Sequence, residues 1–340
     1  MVPKKQKHRD PFVIRTTNGL YCPLADAYID PWKPVDRALI THAHADHARA
    51  GSTHYHCATP GVGILKHRLK TDAVTGHAYN EAFQLGALQV SLHPAGHILG
   101  SAQIKLTDGD QTWVITGDYK RQSDPSCAEF EPVVCDVLIT EATFALPIYQ
   151  WSPMDQVMGQ LFRWWDANIR AQRTSVLLCY SLGKAQRLMA EIAARSDRSV
   201  AVHGAIAALN KNYAEENVSM CPWQLASELP KGWSSDLILA PPQVVGSSFL
   251  KRFEPAELAM ASGWMQIRGV RRRAAITQGF AISDHADWHG LLHTIRQSEA
   301  REVYATHGET GVLVKYLNEV EGISASRLET AFGIASGDDH

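Results

Sequence analysis

The chain has 340 residues, of which 45% are hydrophobic and 20% charged, and its formal net charge is −2. This composition is ordinary for a globular protein and excludes a polycationic one, while the length predicts about two domains. The sequence contains no apolar run of the roughly 18 residues that a membrane-spanning helix needs. Its basic N-terminus is not followed by an apolar segment, so no signal peptide is predicted.

The first part of the chain alternates short apolar segments with turn residues. Segments such as "RALIT", "LQVSLHPA", "TWVITGD" and "DVLITEAT" are rich in Val, Ile and Thr. That composition favours strands. The segment "GVGILKHRLK" has the pattern of a helix.

Near residue 150 the pattern changes to an alternation of strands and helices. A helix is predicted to begin with Ser152 as its cap and Pro153 at its first position. The strands "SVLLCYS", "VAVHGAI" and "DLILAPPQVV" then alternate with helical segments such as "LGKAQRLMAEIAAR". This alternation is typical of a parallel α/β unit.

From about residue 266 the earlier pattern returns, with "AAITQG" and "EVYATHGE" as predicted strands. The simplest organisation is a domain formed by residues 1–148 and 266–340. An α/β domain of residues 149–265 would be inserted into it.

The six cysteines lie far apart and include no Cys-x-x-Cys pair: Cys22, Cys57, Cys127, Cys135, Cys179 and Cys221. Free thiols are typical of cytoplasmic proteins, whereas a disulfide framework is typical of small secreted ones. The sequence therefore predicts a cytoplasmic protein with reduced cysteines and no membrane association.

A dense group of metal-binding side chains follows the predicted strand "RALI": His42, His44, Asp46 and His47. Imidazole and carboxylate groups are ligands that suit zinc or manganese. Four ligands cannot complete two coordination spheres, so further ligands must come from other strand ends. Three strand ends offer such residues: His97, Asp118 and His307.

The order of these motifs resembles the metallo-β-lactamase fold. "CDVLITEATFALPIY", the inserted α/β domain, "SDHADW" and "THGE" resemble its β-CASP nuclease branch. "NGLYCPLADAYIDPWKPVDRALITHAHADHA" and "SLGKAQRL" are similar to segments of the bacterial ligase-associated DNA exonucleases, which are often also labelled mRNA 3′-end processing factors. The resemblance covers nearly the whole chain. It implies an α/β protein, namely an αββα metallo-β-lactamase sandwich with an inserted β-CASP α/β domain.

The resemblance also implies two divalent metal ions, with zinc as the first choice and manganese as the alternative. The ligands of one ion would be His42, His44 and His97. The ligands of the other would be Asp46, His47 and His307, with Asp118 bridging the two.

Further roles follow from the same resemblance. His285 would be the general acid, Glu141 would orient it, and Asp46 is counted with them as catalytic. Asp30 matches the aspartate that braces the ligand loop, and the spacing alone does not exclude the nearby Asp26.

Two stretches outside the metal motifs are candidates for contacts with a nucleic-acid backbone. "YSLGKAQ" follows a buried strand and opens a helix, so its N–H groups, with Ser181 and Lys184, could hold a phosphate. "RGVRRR" places Arg268 and Arg271 between the inserted domain and His285. An ordinary strand–helix turn and a solvated basic segment are the alternative interpretations.

The favoured function is a metal-dependent phosphodiesterase acting as a DNA exonuclease in repair, on single-stranded or end-containing DNA. A DNA ligase and a helicase are its expected companions. The alternative is an RNA nuclease of 3′-end processing or decay, and His307 fits both. A small-molecule metallohydrolase is disfavoured by the long insert and the absence of a signal peptide. A non-catalytic module is disfavoured because every ligand position is filled.

Overall fold

The fold is given by a computed structural model that describes residues 10–230, 237–267, 269, 276 and 278–330. Within these residues the strands form two sheets that face each other and a third sheet beside them. None of the helices in these ranges is long and apolar enough to cross a membrane. The six cysteines are free thiols, and five of them are buried.

The first sheet is built in chain order: β1 (Ile14–Thr16), β2 (Gly19–Cys22), β3 (Ala27–Ile29), β4 (Arg37–Leu39), β5 (His54–Ala58) and β6 (Val74–His77). Its first three strands are antiparallel, and β3 to β6 are parallel. Ala38 of β4 and Tyr55 and Cys57 of β5 are buried because α1 (Val62–Leu69) covers this face of the sheet.

The second sheet combines both ends of the chain. Its strands are β7 (Ala82–Leu85), β8 (Leu88–Pro94), β9 (Ala102–Thr107), β10 (Thr112–Ile115), β11 (Val137–Ala142), β18 (Glu302–Gly308) and β19 (Ser324–Arg327). Their order in the sheet is β19-β18-β11-β10-β9-β8-β7. Because β18 pairs with β11, the C-terminal part of the chain returns to the sheet that the N-terminal part begins.

The third sheet is parallel throughout and has the order β14-β13-β15-β12-β16-β17. Its strands are β12 (Thr174–Leu178), β13 (Val200–Val202), β14 (Trp223–Leu225), β15 (Leu237–Ala240), β16 (Ala256–Ala261) and β17 (Gln278–Phe280). The helices of this region are α2 (Met154–Arg170), α3 (Lys184–Ala193), α4 (Gly204–Glu215) and α5 (Ser248–Lys251).

The αββα sandwich is completed by α6 (Trp288–Gln297) and α7 (Thr310–Tyr316), which pack on the outer face of the second sheet. Apolar side chains of the first two sheets, such as Leu39, Val90 and Ile139, fill the layer between them. A separate core joins the third sheet to α2, α3 and α4. The predicted α/β fold class, a sandwich with an additional α/β unit, is therefore confirmed.

Some local predictions differ from the structure. The predicted start of α2 is wrong. Pro153 is the residue before the first turn of the helix, and no side chain caps it. Of "VAVHGAI" only the first three residues form a strand, and His203 caps α4, its Nδ1 accepting from the amide of Ala205 at 3.1 Å.

The predicted strand "AAITQG" lies partly outside the described residues, and its last two positions begin β17. The division into residues 1–148 with 266–340 and residues 149–265 stays a prediction.

Candidate metal centre and active site

The loop after β4 carries His42, His44, Asp46 and His47 and is called the ligand loop; a carboxylate that follows β3 holds it in place. Asp30 accepts hydrogen bonds from the amide and the hydroxyl of Thr41 at 2.8 and 2.6 Å, and from Nδ1 of His47 at 2.7 Å. Its φ of 42° is left-handed, which turns the chain after β3 towards the loop. Asp26 is exposed, and its carboxylate accepts instead from the hydroxyl of Tyr21 at 2.9 Å. The structure thus places Asp30, and not Asp26, where it can brace the loop.

Four side chains from three separate segments converge beside this loop. Nδ1 of His44 is 3.1 Å from Nε2 of His42 and 3.1 Å from Nε2 of His97. The Oδ2 atom of Asp118 is 3.5 Å from Nε2 of His42 and 3.9 Å from Nε2 of His97. One ligand atom of each lies within 4.8 Å of the others, which is the spacing of a metal-binding group.

The outer nitrogens of these imidazoles are engaged by oxygen atoms. Nδ1 of His97 is 2.7 Å from the carbonyl of Asp284, and Nε2 of His44 is 3.3 Å from the carbonyl of Leu182. A carbonyl only accepts, so these nitrogens carry the protons, and the inner nitrogens carry lone pairs. Lone pairs 3.1 Å apart repel each other unless a cation lies between them. The donor set therefore fits a metal ion.

A second set adjoins the first through Asp118. Nε2 of His47 is 3.4 Å from Oδ2 of Asp118 and 3.6 Å from Oδ2 of Asp46. Nδ1 of His47 donates to Asp30, so the buried Nε2 is the atom that faces Asp118 and Asp46, and no described group makes a hydrogen bond of good geometry with it. The His307 ring lies 5.2 Å from the His47 ring, centroid to centroid.

A cavity of about 30 Å³ is lined by Asp46, His47, Glu141 and His307 among others. A water needs only about 10–15 Å³ of such space. The second set therefore has room for a small ion or a water, and its orphaned imidazole nitrogen fits a metal.

A β-bulge directs His307 to this place. In the pairing of β11 with β18, Glu141 lies opposite Thr306 and Ala142 opposite Gly308, so His307 is left over. Its φ is 53°, in the left-handed region that few non-glycine residues adopt. Bulges re-aim side chains next to active sites, and here the extra residue is the predicted ligand.

Asp118 reaches both sets because a glycine precedes it. Gly117 has a φ of 56°, and a Cβ there would lie 2.5 Å from the Cβ of Thr41. Only a glycine lets the end of β10 approach the ligand loop this closely.

The electrostatics match metal ligation. Burial and neighbouring imidazoles hold the pKa of His42 well below its ordinary value and lower that of His97 to about 3, so both stay neutral. Burial opposes ionisation of Asp118, but His47 and His285 hold its pKa well below the usual range. Neutral imidazole beside ionised carboxylate is the state in which the first set binds metal. Burial opposes the charging of His47, but Asp118, Asp46 and Asp30 raise its pKa well above the ordinary value, so a positive charge is favoured at the second set.

His285 and Glu141 form a buried pair beside Asp118. Nδ1 of His285 is 2.9 Å from Oε2 of Glu141, and each residue is 1% exposed. Oε1 of Glu141 accepts from the amide of Tyr119 at 2.7 Å, which fixes the carboxylate. Asp118, Glu141 and His285 form a second group of potential ligands within 4.8 Å of one another.

Lys184 is not where a phosphate contact would require it. The residue is fully buried, and its Nζ is 2.9 Å from Oδ2 of Asp284 and 3.2 Å from the carbonyl of Ile282. Its ammonium group thus pairs with a carboxylate inside the protein. The predicted contact of Lys184 with substrate is replaced by an ion pair that holds the segment before His285.

Arg187 acts on the same segment from the next turn of α3. Its guanidinium donates to the carbonyl of Ser283 and lies 3.3 Å from Oδ1 of Asp284 and 3.5 Å from Oδ2 of Asp124. Lys120 pairs with Asp124 as well. Asp284 stands next to His285 in "SDHADW", but its role could not be predicted from the sequence, because a buried ion pair between distant segments leaves no periodic pattern.

The turn before α3 touches the metal ligands through its backbone. Gly183 has a φ of 87°, and a Cβ there would lie 2.3 Å from Cγ2 of Ile98. Glycine is therefore required at this position for the turn to come close enough for the carbonyl of Leu182 to contact His44. Ser181 is half-buried beside it. Arg268 and Arg271 lie outside the described residues.

Replacing Asp30 with alanine is expected to weaken metal binding by about 10- to 100-fold, because partners of ligating histidines fix their ring orientation. Asp26→Ala is the matched control, since it removes an exposed aspartate four residues earlier with a similar backbone angle. Calorimetric titration of metal-free protein with zinc measures both. Equal affinities would remove Asp30 from this role.

Comparisons with known proteins agree with this site. No family model matches the chain. Over 318 residues it is 29% identical to a probable DNA ligase of Opitutus terrae, covering 91% of this chain and 30% of that protein. It is 27% identical over 171 residues to the endoribonuclease ysh-1 of Neurospora crassa, covering 45% of this chain and 19% of that one. The chain thus spans less than a third of the length of these relatives.

A solved structure of a protein of unknown function from Enterococcus faecalis matches with a TM-score of 0.59 at 15% identity. It covers 86% of this chain and 78% of that one, and it supports the fold alone. The motif order, the sandwich with its metal-binding cluster and these relatives agree with one another. These relatives confirm the predicted resemblance of the chain to the β-CASP nuclease branch of the metallo-β-lactamase fold.

Proposed function

We propose that the chain is a dinuclear metal-dependent phosphodiesterase, acting as an exonuclease on single-stranded or end-containing DNA in repair. The observation that carries this proposal is the sharing of Asp118 by two adjoining ligand sets, with the pair of His285 and Glu141 beside it. Zinc is the expected metal and manganese the alternative, because the donors are imidazoles and carboxylates.

Hydrolysis of a phosphodiester needs an activated water, neutralisation of charge on the phosphoryl oxygens and a proton for the leaving oxygen. Two bound divalent ions supply the first two of these needs. His42, His44 and His97 would hold one ion, Asp46, His47 and His307 the other, and Asp118 would contact both.

His285 is the proposed source of the proton. Its Nδ1 is engaged by Glu141 at 2.9 Å, so the transferable proton would be carried by Nε2. The carboxylate of Glu141 favours the charged imidazolium and fixes the ring. Phe144 and Trp151 pack around this pair, since the Phe144 ring is 5.9 Å from the His285 ring and the Trp151 indole donates to the His285 carbonyl. The pair is thereby shielded from bulk water.

DNA is favoured over RNA because the relative aligned over 91% of this chain is named a probable DNA ligase. The chain would then act on DNA ends in the cytoplasm of the cell, alongside a ligase and a helicase. An RNA nuclease is the second candidate, because the endoribonuclease ysh-1 of Neurospora crassa and that of Schizosaccharomyces pombe align over 45% and 35% of this chain.

A panel of labelled substrates separates these functions. Purified protein loaded with zinc or with manganese is offered single-stranded DNA, duplex DNA with each type of end, and RNA of the same sequence. Release of mononucleotides from DNA and not from RNA is the expected result. Cleavage of RNA alone would select the second candidate, and a protein that binds metal but cleaves neither would refute both.

A further inference from the structure

A groove of about 810 Å³ lies beside the metal ligands. Its walls are the ligand loop, the end of α1, the turn before α3 and one face of α4. Its volume is that of a site for a ligand of several hundred daltons.

The charge of the groove is positive, although the chain as a whole carries −2. Lys33, Arg68 and Lys70 are exposed, and no carboxylate among the described residues lies within 4.0 Å of their charged atoms. No acidic residue occurs in the described lining. Burial lowers the pKa of Arg68, and the carboxylate of Asp46 in the ligand loop opposes that shift. Such a set of exposed cations around an apolar floor of alanine and leucine is suited to an anion with an apolar part.

One end of the groove opens at the metal ligands. Ala45 and Ala48 flank Asp46 and His47 in the ligand loop and line the groove. The Leu182 carbonyl, 3.3 Å from His44, belongs to its opposite wall. Trp32 lines both this groove and the small cavity beside His47. A chain-like ligand in the groove would therefore have one end at the site of chemistry.

We propose that this groove binds the sugar–phosphate backbone of the single strand whose end is cleaved, an inference that rests on the proposed nuclease function. Phosphates would contact Lys33, Arg68 and Lys70, and one base would stack on the half-exposed ring of Trp32. Proteins that bind single-stranded nucleic acid without regard to sequence usually contact its backbone with arginine and lysine and stack its bases on aromatic rings.

The test measures binding without cleavage. Metal-free protein with a chelator is titrated with a fluorescent oligothymidylate of roughly ten nucleotides, and with the matching oligouridylate, at several salt concentrations. The double variant Lys33→Gln with Arg68→Gln should bind at least about tenfold more weakly and lower the slope of log K against log salt by about 1.4, since each phosphate contact contributes about 0.7. Trp32→Ala should weaken binding roughly tenfold and leave the slope unchanged.

The matched control is Arg301→Gln with Lys315→Gln, which removes two exposed charges elsewhere and should bind as the unaltered protein does. In the unaltered protein, the oligonucleotide should also protect Lys33 and Lys70, but not Lys315, from an amine-reactive label read by mass spectrometry. An unchanged affinity and slope in the groove variant, with cleavage intact in the parent, would overturn the groove alone. Absence of both binding and cleavage in the parent would overturn the nuclease function with it.

Discussion

Asp118→Ala is expected to reduce cleavage by at least roughly 10³-fold and to lower the bound metal content. Its Oδ2 atom lies between both ligand sets, 3.5 Å from Nε2 of His42 and 3.4 Å from Nε2 of His47. Its loss removes the ligand that both sets are proposed to share, and metal catalysis of this kind would lower the barrier by several kcal/mol. Single-turnover assays with labelled DNA give the rate, and elemental analysis of the same sample gives the metal content.

Asp110→Ala is the matched control for this variant. Asp110 is exposed and precedes β10, whereas Asp118 follows the end of the same strand. The control should keep both metal and activity. An Asp118→Ala protein that retained two ions per chain would show that the shared carboxylate is not the element joining the sets.

His285→Ala is expected to slow cleavage by about 10²- to 10⁴-fold while the metal content stays that of the parent. The reason is that a general acid contributes to the proton transfer and not to metal affinity. Because His285 is fully buried, the truncation leaves a cavity, and His285→Asn serves as a second variant that fills more of it. Metal content, melting temperature and cleavage rate are measured on each.

His289→Ala is its matched control, an exposed histidine four residues further along the chain. It should behave as the parent in all three measurements. Loss of a metal ion in both His285 variants would contradict the division of roles and make His285 a ligand, in the group that it forms with Asp118 and Glu141.

Much of the sandwich was predictable because its strands are short, apolar and bounded by turn residues. β8, β10 and β11 are examples that read directly from "LQVSLHP", "TWVI" and "VLITEA". β16 was missed, since "AELAMA" is as compatible with a helix as with a strand and only its parallel neighbours decide. The start of α4 was missed because "VAVHGAI" is one apolar run in which a capping histidine ends the strand.

For the site, the dense motif and its strand-end companions carried most of the information. The order of those motifs along the chain was enough to predict that His42, His97 and Asp118 would lie together, as they do. The partner of Lys184 could not be predicted, because an ion pair with Asp284 across 100 residues depends on packing. The groove cations Lys33, Arg68 and Lys70 come from two separate segments that no spacing relates. A bulge at His307 likewise depends on the pairing of two distant strands.

The buried charges that join α3 to the segment before His285 have a consequence for the protein as a whole. Lys184 and Arg187 neutralise Asp284 where water does not reach, so replacing both cations while α3 stays packed would leave an unpaired carboxylate in the interior. A stranded ion of this kind costs about 3–5 kcal/mol, a large share of a typical folding free energy. The region that carries α3 and the region that carries His285 should therefore melt as one cooperative unit. A chimera in which a relative supplies the α3 region would need a lysine and an arginine at the positions of Lys184 and Arg187 to pair with Asp284.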